Sequence, residues 1–74
     1  MKQFTKTDLD QIAFTNTINE ITLKINTART PVKSIAEHAE LCATQIANEQ
    51  FSNILANIAK CKTRKGMNAI IATI

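Results

Sequence analysis

Residues 14–28 read Phe-Thr-Asn-Thr-Ile-Asn-Glu-Ile-Thr-Leu-Lys-Ile-Asn-Thr-Ala, and Phe14, Ile18, Ile21, Ile25 and Ala28 recur in them at steps of 4, 3, 4 and 3. That alternation keeps five side chains on one stripe of an α-helix turned toward a partner. Upstream, Thr7 is placed to cap, with Asp8 and Asp10 in the first turn, and Thr7-x-x-Asp10 has the form of a capping box. Glu20 precedes Lys24 by four residues, the favourable order for a helical ion pair. The spacing predicts a helix over about residues 8–28.

The same helix is apolar on a second side. Winding the chain at about 100° per residue sets Leu9, Ile12 and Leu23 opposite the Phe14/Ile25 stripe. The remaining chain has little with which to cover them. It is 74 residues long, with 45% apolar and 20% charged residues, enough grease to fold but only enough length for one small domain over residues 1–74. A domain of this size buries about 60% of the surface its unfolded chain exposes, so it leans on disulfides, a metal or a second copy of itself. Cys42 and Cys61 form no framework, and no cofactor is implied by any motif. Self-association is left, and Leu9, Ile12 and Leu23 are the expected partner or oligomer interface.

Thr30-Pro31 marks a second start, with Thr as N-cap and Pro in the first helical position. A link of one or two residues would make the first two helices an antiparallel hairpin. Ile35, Ala39, Cys42 and Ile46 then repeat at 4, 3 and 4, after which a new series, Ala47, Phe51, Ile54, Ile58 and Cys61, is displaced by one residue. The displacement rotates the stripe by about 100°. Either the helix breaks near Asn48, which would cap a new one, or a single helix over about 31–64 turns different faces to different partners. With no Gly or Pro between Val32 and Lys65, the continuous or gently kinked helix is favoured. Lys60, Lys62, Arg64 and Lys65 followed by Gly66 read as that helix's end. Met67, Ile70, Ile71 and Ile74 fall on one face of a short terminal helix over about 67–74, too short to stand without packing. The fold class is all-α, assembling as an oligomeric helical bundle.

Chemistry is sparse. His38 and Cys42 have usable metal-ligand spacing, with Glu37 or Glu40 nearby, but no second pair completes a shell, and Cys42 belongs to the apolar stripe. With a lone histidine and a lone glycine, neither a catalytic constellation nor a phosphate-cradling loop can be assembled, so no enzyme is expected. No apolar run follows Met1–Lys6, and no stretch nears the roughly 20 apolar residues of a membrane span, so the expected location is cytoplasmic.

The net charge of +3 is placed unevenly: residues 60–74 carry four bases and no acid. Lys60, Lys62, Arg64 and Lys65, with Arg29 and Lys33, are candidate contacts for nucleic acid or an acidic partner. The stretch Ser34–Ile46 is similar to the opening of a helix-turn-helix, with Ala36 at the small position, Leu41 in the turn and Ile46 in the recognition helix. It departs from that motif at Glu40, where a turn glycine is usual, and at Glu49, where an apolar anchor is usual. A shared pattern of small and apolar residues accounts for the likeness. Two functional expectations result. The first is a non-catalytic protein-interaction module, a small regulator, inhibitor or adaptor working through an apolar helix face. The second is a small basic DNA-binding regulator.

Overall fold

A computed structural model describes residues 3–74. Those residues form four α-helices and no strand: α1 (Lys6–Asn26), α2 (Val32–Gln45), α3 (Glu49–Lys60) and α4 (Arg64–Ala72). One hydrophobic cluster draws on all four, with Phe14, Ile21 and Ile25 from α1, Ile35 and Ala39 from α2, Ile46 from the link, Leu55 and Ile58 from α3 and Met67 from α4. α2 and α3 pack on each other most extensively, while α1 touches each of the other three helices. The rings of Phe14 and Phe51 stack with centroids 4.4 Å apart, joining α1 to α3.

α1 starts two residues earlier than the sequence reading has it. Thr5 is the N-cap: its side chain accepts from the Asp8 backbone N–H, and the Asp8 carboxylate accepts from the Thr5 N–H, both at 3.2 Å. Thr5-x-x-Asp8 therefore forms the capping box assigned above to Thr7 and Asp10. Both pairs satisfy the spacing rule, and the earlier one gives the helix an extra half turn.

The expected long second helix is two helices. Ile46 and Asn48 both adopt extended backbone angles, and the Asn48 side chain accepts from the Gln50 N–H at 3.0 Å as N-cap of α3. Ser52 seals the other side of the break by donating to the Ala43 and Ile46 carbonyls at 3.0 and 2.5 Å. Two polar side chains thus satisfy the exposed backbone ends, and neither Gly nor Pro is needed. The break also resolves the register shift. It lets Ile46, Leu55 and Ile58 all reach one core, whereas a straight helix would swing its second stripe away. Leu55, outside the expected series, is fully buried, while Phe51, Ile54 and Cys61 are half-buried and Ala47 is exposed.

The other boundaries also move. The α1–α2 link spans residues 27–31, longer than expected, and Pro31 stands at the N-cap of α2 with no side-chain cap. Gly66 does not end a helix; it lies in the first turn of α4, where its N–H donates to the Thr63 hydroxyl at 3.1 Å. Thr63 is an effective cap, so the chain restarts before the glycine. α4 accordingly begins at Arg64 rather than Met67. Of its expected stripe Met67 is fully buried, Ile70 and Ile71 are half-buried, and Ile74 lies beyond the helix and is 56% exposed.

Candidate functional site

The inner stripe of α1 is spent on the core: Phe14, Ile21 and Ile25 are at most 5% exposed. The opposite face is open. Leu9, Ile12 and Leu23 are 54%, 45% and 67% exposed, so the three residues singled out as an interface have no cover within the described chain. Phe4, just ahead of the Thr5 cap, adds a fourth apolar group at 62% exposure. The sequence reading missed it because it precedes the periodic segment. Phe4 and Ile12, with Asp8 and Gln11, line a shallow depression, and a second depression between Gln11, Ile12, Thr15 and Asn16 continues along the helix.

None of the described residues before Phe14 is buried. The first two turns of α1 therefore extend past the core as a rod with solvent on most sides. Helices of this kind gain little from propensity and depend on packing for stability. These two turns carry Leu9 and Ile12, with Phe4 just ahead of them, and removing each of these side chains from water contributes about 1.5–3 kcal/mol when complete.

A second concentration of side chains lies at the C-terminal end of α1. Arg64, at the start of α4, donates through Nη1 to the carbonyls of Ile25 at 2.8 Å, Thr27 at 3.2 Å and Lys24 at 3.4 Å. Its Nη2 donates to Ala28 at 3.4 Å and to Thr30. The planar guanidinium so satisfies the orphan carbonyls at the end of α1 and along the link, and its charge sits at the negative end of the helix dipole. Arg64 is half-buried in this role, which removes its donors from the candidate nucleic-acid contacts. The others remain exposed: Arg29 in the link, Lys33 in the first turn of α2, Lys60 at the end of α3, Lys62 in the α3–α4 link and Lys65 in the first turn of α4. Because Arg64 grips the residues on both sides of Arg29, bases from distant stretches of sequence gather at this end.

His38 meets a different set of partners from those expected. Its Nε2 lies 3.3 Å from Glu20 Oε2 on α1 and 3.8 Å from Cys42 Sγ one turn along α2. Glu20 also pairs with Lys24 at 3.5 Å. Glu20 thus takes the place considered for Glu37 or Glu40, and both neighbours approach one histidine nitrogen rather than a shared centre. Among the described residues, no group of three or more His, Cys, Asp and Glu side chains is arranged to hold a metal ion. Cys42 and Cys61 are free and half-buried, Cys61 with its thiol 3.4 Å from the Asn57 carbonyl.

Between α2 and α3 an open cleft of about 380 Å³ is lined largely by small side chains, among them Ala43, Ser52, Ala56 and Ala59, with Glu40 and Lys60 at its rim. It holds no nucleophile paired with a base. The residues at which a helix-turn-helix would turn, Glu40 to Cys42, lie inside the uninterrupted α2. No helix among the described residues is long and apolar enough to cross a membrane. The chain matches no protein-family model, no curated protein and no solved structure.

Proposed function

We propose that this protein is a non-catalytic interaction module that docks through the outer face of α1. The observation that carries the reading is the exposure of Leu9, Ile12 and Leu23, joined by Phe4, on a helix whose opposite face already fills the core. An unpartnered apolar stripe at helical spacing is how a helix enters a groove or pairs with another helix. α1 and α2 form an antiparallel hairpin in this reading, supported by the five-residue link and the approach of His38 Nε2 to the Glu20 carboxylate, and the hairpin presents its α1 side to the partner. The test replaces Leu9 and Leu23 together by Asp in the full chain. Circular dichroism should report unchanged helix content, and light scattering should report loss of association. Association that survives the double change overturns the reading.

A second reading is supported by the basic end. Arg29, Lys33, Lys60, Lys62 and Lys65 are exposed around the Arg64 clamp, and such local positive charge is where duplex affinity begins. Fluorescence anisotropy with a labelled DNA duplex checks it. Binding that falls steeply as salt rises from roughly 50 to 200 mM supports the DNA-regulator reading, and no binding at the lower salt rejects it.

A further inference from the structure

We propose that the end of the molecule where α1 turns into α2 and α3 into α4 binds the phosphate backbone of a nucleic acid duplex, without regard to base sequence. This rests on the reading that the basic end contacts DNA and names what is contacted there.

The bases lie in two distant segments of sequence, and Arg64 brings the segments together. By donating to carbonyls from Lys24 to Thr30, it fixes the α1–α2 link against the start of α4. Residues 27–33 and 60–66 so form one pole, with six bases and no acid. The rest of the chain holds Lys2, Lys6 and Lys24 against all six acids, so the net charge of +3 comes entirely from this pole. Arg64 is taken up by carbonyls. Arg29, Lys33, Lys60, Lys62 and Lys65 are all exposed, and the two ion pairs found among the described residues involve Lys24 and His38 instead.

Distance preserves this separation of charge in a molecule of 42 × 21 × 20 Å. α1 carries Asp8 and Asp10 about 25 Å from Asn26 along its axis, roughly three screening lengths at physiological salt. Glu49 stands at the far end of α3 from Lys60, and Glu20 is engaged by Lys24 and His38. Glu37, one turn beyond Lys33 along α2, is the nearest acid in sequence. The two helices that start at the pole, α2 and α4, have no acid in the first turn, so their N-terminal dipoles add to the positive field.

The surroundings of these cations select among polyanions. Neither segment holds an aromatic residue on which an unpaired base could stack, which favours a duplex over a single strand. None of the large exposed apolar side chains lies in either segment, so nothing there can enter a lipid layer or form the dry centre of a protein interface. A hydrophilic cationic surface of this kind suits counterion release from closely spaced phosphates. The five cations are spread over two links and three helices rather than along one helix able to enter the major groove, and neither segment holds an Asn or Gln to read adenine. The contact is therefore to backbone and not to bases.

The test is fluorescence anisotropy of the full chain with two labelled DNA duplexes of equal length and unrelated sequence, repeated as salt rises from roughly 50 to 200 mM. Both duplexes should bind equally, with the logarithm of the binding constant falling against the logarithm of salt at a slope of up to about −4.5 if all five cations meet phosphates. Lys62→Gln should flatten that slope by about 1, and Lys62→Gln with Lys65→Gln by about 2. Lys6→Gln, the same loss of one charge from the far end of α1, should leave it unchanged. These lysines are exposed, so circular dichroism should report an intact fold in every variant. A slope flattened as much by Lys6→Gln as by Lys62→Gln overturns the pole as the contact. A single strand bound as tightly as the duplex overturns the choice of duplex. Tighter binding to vesicles of anionic lipid, or displacement by polyglutamate as effective as by unlabelled duplex, overturns nucleic acid as the partner. One duplex bound about 1,000-fold more tightly than the other overturns the backbone contact and leaves the DNA-regulator reading standing. No binding of either duplex at the lowest salt overturns both.

Discussion

The two faces of α1 are built from the same kinds of residue at the same helical period, yet they have opposite fates. Phe14, Ile21 and Ile25 are sealed by three other helices, while Leu9, Ile12 and Leu23 meet solvent. Hydrophobicity alone does not decide burial; the area that the rest of the chain can offer does. α2, α3 and α4 cover one side of α1 from Phe14 onward, and nothing in the described residues reaches round to the other.

Changing the covered side should have the largest effect. Ile21→Ala leaves a hole in a site with no solvent exposure and should cost roughly 2–5 kcal/mol, a large share of the total for a domain of this size. Urea unfolding followed by circular dichroism checks it. Next comes the clamp at the end of α1. Arg64→Ala removes charge-assisted bonds to five carbonyls and should cost about 2–3 kcal/mol. Arg64→Lys should recover only part of that, since an ammonium cannot span the fork. The break between α2 and α3 comes third: Ser52→Ala should cost about 1–2 kcal/mol and Asn48→Ala about 1 kcal/mol by the same measurement. Smallest is the open side. Leu23→Ala should change monomer stability by no more than about 0.5 kcal/mol while weakening self-association in sedimentation. A large stability loss there would mean that the outer face is covered after all.

How much of this was legible in the residues follows from the range of each signal. The 4-3-4-3 recurrence along α1 is local, and it marked both the buried stripe and the exposed one. The all-helical class followed from the same periodicity. The break at Asn48 was visible as an alternative, but the decisive group was Ser52, whose bond to Ala43 reaches back nine residues. Leu55 escaped because the series was extended from Ala47, which lies in the link rather than in a helix. The Arg64 clamp had no local signature. Four bases before a glycine look like a helix end, and only the approach of α4 to α1 shows one of them serving another helix's terminus. The fourth apolar side chain, Phe4, was within reach: a hydrophobic residue directly before an N-cap is a known partner for the helix's first turns.

The position of Arg64 also governs when the molecule can be finished. Its acceptors lie 34 to 40 residues earlier in the chain, so during synthesis the bend at Thr27–Pro31 emerges long before the side chain that will fasten it. Until residue 64 clears the ribosome, that elbow is held only by water and by its own short-range bonds. A nascent chain stalled short of that arginine would already hold the two helices that cover the inner face of α1, yet it would leave the carbonyls at the end of α1 without their side-chain partner.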